Sequence, residues 1–139
     1  MNGRWLVIVW LASAASAAAQ SPAAIAGRWK TDDGNAIVTI APCAPGKPAL
    51  CGWISDLLVP QPPGGARDTR NPDPKLRARK VVGSAVFTGL VAEGGAWKGR
   101  GYTAKEGRNF KARVKLDGGK LNVRGCVAVI CRTVIWTRV

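Results

Sequence analysis

The chain has 139 residues, with 21 Lys plus Arg against 8 Asp plus Glu, a formal net charge of +13, four cysteines and no histidine. One domain is expected at this length, and a sequence without histidine excludes histidine-based triads and the usual zinc-hydrolase sites. A field of this sign favours anionic partners and repels other cations.

Residues 1–19 read as a secretion signal. Arg4 gives a positive n-region, Trp5 to Leu11 an apolar h-region, and Ala17-Ala18-Ala19 a small-residue cleavage site. The apolar run ends near Ala12, short of the ~20 residues a spanning helix needs. Residues 20–139 then form the mature chain, expected as one exported domain with 20 basic and 8 acidic residues. Export permits disulfides, and the even set Cys43, Cys51, Cys126 and Cys131 predicts two of them. Of three formal pairings, Cys43 with Cys51 and Cys126 with Cys131 is expected, because each couple sits in one hairpin-like segment. A zinc site would be an irregular four-thiolate cluster in an oxidising compartment. In that compartment anionic partners are lipid phosphates, lipopolysaccharide or acidic wall polymers, with no nucleic acid expected.

Ala24 to Thr31 reads as a first strand, and Asp32-Asp33-Gly34-Asn35 as a turn whose residues tolerate positive φ. Ala36 to Ile40 pairs back, with Ile37, Val38 and Ile40 placing apolar groups on both faces. A connection containing Cys43 leads to a third strand, Leu50 to Val59, carrying Cys51 and Trp53. From Pro60 to Lys80, five prolines interrupt any ladder and basic residues outnumber acids, predicting a long loop, a class that is usually functional or mobile. Lys80 to Val91 resumes as a strand, where Gly83 and Gly89 suggest bulges or close packing. Ala96 to Thr103 comes next, then Asn109 to Leu116, in which Phe110, Ala112, Val114 and Leu116 alternate with Asn109, Lys111, Arg113 and Lys115 at the period of a half-buried strand. Asp117-Gly118-Gly119 turns the chain into Lys120 to Val127. Arg132 to Val139 is the last strand, joined through the apolar tip Val127-Ala128-Val129-Ile130, which is suited to touch a membrane or a partner but is expected instead to fold over one end of the barrel as core. Seven or eight antiparallel strands with short turns predict an all-β sandwich or up-and-down barrel.

Four segments carry a resemblance: Gly27-Arg28-Trp29-Lys30-Thr31, Leu50-Cys51-Gly52-Trp53-Ile54, Asp68-Thr69-Arg70-Asn71-Pro72-Asp73-Pro74-Lys75-Leu76-Arg77 and Trp136-Thr137-Arg138-Val139. Together they resemble the bacterial exported DUF2147 family. The resemblance implies a small lipocalin-like, or calycin-like, barrel in the periplasm, with no activity attached. It further implies that Gly27 and Trp29 of the first strand and Trp136 and Arg138 of the last close the barrel, with the Arg138 guanidinium across the Trp29 ring, a contact of roughly 0.5–2 kcal/mol. Two departures from the family's pattern are Thr103-Ala104 before Lys105-Glu106-Gly107, where Asp-Pro is often found, and Asn109-Phe110 in place of Thr-Tyr.

Catalysis is hard to assemble from these residues. Only Asp68 and Asp73 lie in a plausible mobile loop as a carboxylate pair. Asp68, Asn71 and Asp73 would offer oxygens to a hard cation, but the Asn-Pro-Asp-Pro run reads more simply as side-chain-capped turns. No catalytic residue, metal or cofactor is expected. The first functional expectation is a small apolar or amphipathic ligand in the barrel mouth, gated by residues 60–80, with Trp53, Asp68, Asn71, Asp73, Arg77, Trp97 and Tyr102 as contacts. The second is an envelope module in which Lys98, Arg100, Lys111, Arg113, Lys115, Lys120 and Arg124, sharing the outer parity of a three-strand meander, bind an anionic lipid or polymer, with peripheral membrane contact.

Overall fold

In the computed structural model, which describes residues 21–139, eight antiparallel strands close into a barrel in simple sequence order. The strands are β1 (Gly27–Lys30), β2 (Ala36–Pro42), β3 (Leu50–Leu57), β4 (Ala85–Glu93), β5 (Ala96–Thr103), β6 (Arg108–Asp117), β7 (Lys120–Val127) and β8 (Ile130–Arg138). The predicted signal peptide lies outside the described residues.

Alternation explains the long hairpins. In β6, Ala112 and Val114 are buried while Lys111 and Lys115 are exposed, and in β7 Val123 opposite Val114 and Leu121 opposite Leu116 are buried too. In β2, Ile37, Val38 and Ile40 are all buried. The register with β3 shifts between Ile37 and Val38, which pair with Asp56 and Ile54, so the extra residue is Ser55 and the change of facing falls on β3. In β4 the register shifts between Thr88 and Val91 around Gly89, whose φ of 64° suits glycine.

Several expected boundaries move, among them β2, which runs on to Pro42, β4, which runs on to Glu93, and β8, which begins at Ile130 rather than Arg132 and ends at Arg138. Ala24 to Ala26 is not strand: Pro22–Ile25 forms one helical turn, α1, with Pro22 in its first turn where a missing N–H costs nothing. The third strand ends at Leu57 rather than Val59, and β4 begins at Ala85 rather than Lys80. There Gly83 takes a φ of 90° and an isolated Arg67–Lys80 bridge holds the ends of the long loop together.

The core is centred on Trp29, Phe87, Ile25, Ile40, Leu50, Leu90 and Leu121, all essentially inaccessible. Phe87 lies 5.5 Å from Trp136, centroid to centroid. One barrel end is closed: α1 inserts Ile25, and the Trp29 indole donates to the Ile25 carbonyl at 2.9 Å. The seam between β1 and β8 has only two paired positions, Trp29–Arg138 and Lys30–Thr137. Arg138 reinforces it, lying 4.1 Å above the Trp29 ring and donating to the carbonyls of Ala24 and Ala26 at 2.8 and 3.0 Å. Such a stacked, bidentate role suits the planar guanidinium and not lysine.

Both local disulfides form, Cys43–Cys51 beside the closed end and Cys126–Cys131 at the opposite one. Structural disulfides are the signature of an oxidising, extracytoplasmic compartment. Among the described residues, no helix is long and apolar enough to cross a membrane.

Candidate functional site

At the end opposite α1 emerge the β1–β2 turn, the long β3–β4 loop (residues 58–84), the β5–β6 turn and the β7–β8 hairpin. The interior there is occupied. The Phe110 ring fills the space left by Gly101 and Gly125: an added Cβ at Gly125 would come within 3.0 Å of it, and one at Gly101 would collide with it. Phe87 likewise sits against Gly52, whose added Cβ would meet it at 2.9 Å. Trp97 is buried in the core, with no hydrogen-bond partner for its indole nitrogen among the described residues. Trp53 lies between Gly52 and Ile54 and pairs with Thr39, which puts it on the outer face of β3. Neither tryptophan lines an open mouth.

The long loop instead folds back on the outside of the barrel. Asp68, fully buried, anchors it by accepting the Tyr102 hydroxyl at 2.6 Å, the Asn71 amide at 2.8 Å and the Arg79 guanidinium at 2.9 Å. Arg79 also lies 5.5 Å from the Tyr102 ring centre. Burial works to raise the Asp68 carboxyl, but the hydrogen bonds from Asn71, Tyr102 and Arg79 and the Arg79 charge outweigh it and hold the group below the usual carboxylate range. For Tyr102, burial and then the Asp68 carboxylate push the phenol up to about 12.

The Asn-Pro-Asp-Pro run is a chain of caps. Asn71 accepts from the Asp73 backbone N–H at 2.9 Å, Asp73 accepts from that of Lys75 at 3.0 Å, and Asp73 thereby starts a 3-10 turn at Pro74–Leu76. Arg77 donates to the Asn71 carbonyl at 2.8 Å. The loop docks on the β5–β6 turn through Arg70, whose guanidinium bonds the Lys105 carbonyl and whose backbone lies against Gly107.

Between this loop and the outer face of β4, β5 and β6 lies a cleft of about 380 Å³. Pro72, Leu76, Ala85 and Val86 give it an apolar side, while Arg79, Arg100, Tyr102 and Asn109 give it polar and cationic groups. Of the seven residues expected to contact a ligand, Asn71, Asp73 and Tyr102 line this cleft, Asp68 and Arg77 brace the loop that forms it, and Trp53 and Trp97 stand elsewhere. Leu76, Arg79, Val86 and Asn109 are additions that the sequence alone does not single out. The alternation of β5 offers a signal for Arg100 and Tyr102 sharing a face, but nothing local pairs that face with the loop.

The basic meander is continuous with the cleft. The register makes one cross-strand row of Lys98, Arg113 and Arg124 and another of Arg100 and Lys111. These five line an open depression of about 500 Å³ on the outer face, and Arg100 belongs to both depression and cleft. Lys115 and Lys120 lie further along the strands, outside it. Of the seven cations only Lys98 forms an ion pair among the described residues, with Glu93 at 3.4 Å. Facing like charges on neighbouring strands are destabilising.

No match was found among curated proteins. A Helicobacter pylori protein, HP1028, described as belonging to the lipocalin family, is similar in fold: TM-score 0.70, 19% identity, 83% of this chain and 82% of that one covered. Residues 27–138 match the family described as "Uncharacterized protein conserved in bacteria (DUF2147)". That span runs from the first strand of the barrel to the last residue of β8, so the chain belongs to the DUF2147 family, in a lipocalin-like barrel.

Proposed function

We propose that this protein is a periplasmic binding protein for a small amphipathic anion, held in the outer cleft between the β3–β4 loop and β4–β6, and that it binds without catalysis. The observation that carries the reading is the cleft itself, with an apolar wall from Leu76 and Val86 set opposite Arg100 and the Tyr102–Asp68–Arg79 cluster. A pocket of a few hundred Å³ with an apolar lining and a few fixed polar groups is the usual form of a small-molecule site. The filled interior argues against the barrel mouth as the location. Titration with a single-chain alkyl phosphate, followed by calorimetry, tests this. Binding should weaken tenfold or more in Arg100→Glu, while the matching neutral alcohol binds weakly to both proteins; equal affinities for phosphate and alcohol, or for wild type and variant, would count against it. Native mass spectrometry of protein taken from periplasm would identify a retained molecule.

A second reading rests on the basic depression: an anionic envelope polymer lies across Lys98, Arg100, Lys111, Arg113 and Arg124. Retention on a polyphosphate column should fall steeply with added salt and in the Lys111→Glu/Arg113→Glu double variant. Salt-indifferent retention would exclude it.

A further inference from the structure

Contrary to the expectation that it folds over as core, the β7–β8 tip is the most exposed apolar segment among the described residues. Val129 is 95% and Ile130 77% exposed, with Val127 at 40%. The hairpin is tight, Val127 pairing with Ile130 across Ala128 and Val129. Turn positions of this kind favour glycine or asparagine, because the backbone enters the left-handed region. Ala128 does so with a φ of 53°, the one non-glycine residue among those described with positive φ. A strained conformation at an apolar, solvent-facing tip persists only where the surroundings impose it. The Cys126–Cys131 bridge, directly across the ladder one pair below, does so here.

Charge surrounds this tip on the same sheet. Cys126 pairs with Lys111, and Arg124, Arg113 and Arg132 lie within the next two positions of the register. The β5–β6 turn at this rim has Lys105 and Arg108 flanking Glu106, and the β1–β2 turn brings Asp32 and Asp33, of which Asp33 pairs with Lys105 at 3.5 Å. The long β3–β4 loop at the same rim brings exposed Leu58, Val59 and Val82.

We infer that the Val127–Ile130 tip is a membrane-inserting wedge: a disulfide-braced apolar hairpin that enters an anionic bilayer surface while Lys111, Arg113, Arg124 and Arg132 meet lipid phosphates. Apolar insertion supported by basic residues at the headgroups is the general design of interfacial anchors, and each Lys or Arg near an anionic leaflet adds to the attraction. The inference rests in part on the basic-face reading, since those cations supply the charge complementarity, but the wedge is a separate element with its own test.

The test uses the mature protein and co-sedimentation with vesicles of phosphatidylglycerol mixed with phosphatidylcholine, or of phosphatidylcholine alone. Wild type should partition to the anionic vesicles. Val129→Asp should weaken this by about tenfold or more, the scale set by burying one aliphatic side chain, with an unchanged circular dichroism spectrum because the side chain touches little. The same variant should keep wild-type retention on polyphosphate, whereas Lys111→Glu/Arg113→Glu loses both. If polyphosphate retention proves salt-indifferent while Val129→Asp still abolishes vesicle binding, the polymer reading fails and the wedge stands. Wild type that ignores anionic vesicles, a Val129→Asp variant that binds them as wild type does, or a lipid-free dimer that Val129→Asp dissociates would each overturn the wedge.

Discussion

Replacing Asp68 by Asn isolates the contribution of one buried charge to the docking of the long loop. The side chain keeps its shape and accepts the Tyr102 hydroxyl through its carbonyl, but its amide faces the donor Arg79. Hydrogen bonds to a charged group contribute about 1.5–3 kcal/mol, and breaking a fully buried ion pair costs about 3–5 kcal/mol. The Arg79 side chain retains 35% exposure and regains water, so the lower range applies: a loss of about 2–3 kcal/mol, read from the urea midpoint with both disulfides intact. A second readout is specific to the geometry. Tyr102 is the sole tyrosine of the chain, so its ultraviolet titration reports this cluster alone. In wild type the midpoint should be near 12, and in Asp68→Asn it should fall toward the ordinary value of 10. Tyr102 has a raised value, so its contribution to stability is complete below pH 10 and is lost as pH climbs toward 12. Asp68 has a lowered one, so its contribution is present above 3.8 and disappears as pH falls through the depressed value. Asp33 is also lowered, by Thr31, Asn35 and Lys105 against burial, which makes the wild type minus Asp68→Asn difference the quantity to plot. An unchanged urea midpoint together with a Tyr102 midpoint still near 12 would refute this account of the anchor.

Gly107→Ala should detach the same loop from the other side, because a Cβ there collides with the Arg70 backbone at a φ of 63°; trypsin cleavage within residues 67–80 should accelerate while the barrel's core stays resistant. Phe110→Ala should cost about 2–4 kcal/mol, below the full range for a buried aromatic because the ring is partly exposed, and should open an apolar void that takes up a hydrophobic dye absent from wild type. Arg138→Ala should lower stability by about 1–3 kcal/mol through loss of the ring contact and two carbonyl bonds, with fluorescence changes from the neighbouring Trp29; Arg138→Lys should not restore it.

The legible part of the sequence is local. β5 and β7 have the expected limits, and β6 gains one residue at each end, because period-two alternation bounded by glycine turns is decided within a few residues. The disulfide pairing is legible for the same reason. Tertiary placement is not. Ala24 to Ala26 has a strand-like composition, yet Ile25 is more useful as a plug delivered by a helical turn. Val81 and Val82 favour a strand, but Gly83 and the Arg67–Lys80 bridge bend the chain there. The tip's apolar residues carry no sign of which side of the barrel they face. Most of all, the Asp68–Tyr102 contact spans 34 positions, a relation no local pattern encodes, so the loop residues are readable as ligand contacts while the cleft they build with β4–β6 is not.

Why the site should lie outside a barrel is explained by the interior. Eight strands enclose a space that side chains fill or that holds one small ligand; here Trp29, Phe87, Phe110 and Trp136 pack into it, and under the proposed reading specificity is built on the outer surface, where the loop adds a wall. Arg100 is the residue on which both outer features depend, since it borders the cleft and the basic depression alike. Arg100→Glu should therefore weaken both alkyl phosphate binding and polyphosphate retention, each by about tenfold to a hundredfold, the range for removing and then opposing one close charge contact. The fold should be unharmed: Arg100 is exposed and faces Lys111 across the ladder, so a glutamate there replaces a repulsion with an attraction, and stability should hold within about 0.5 kcal/mol or rise. Lys111→Glu/Arg113→Glu should reduce polymer retention but leave alkyl phosphate binding intact, because neither residue borders the cleft. A variant at Arg100 that loses one activity and keeps the other in full would separate the two surfaces and remove the idea that a single amphipathic anion could run from the apolar wall of the cleft onto the basic strands.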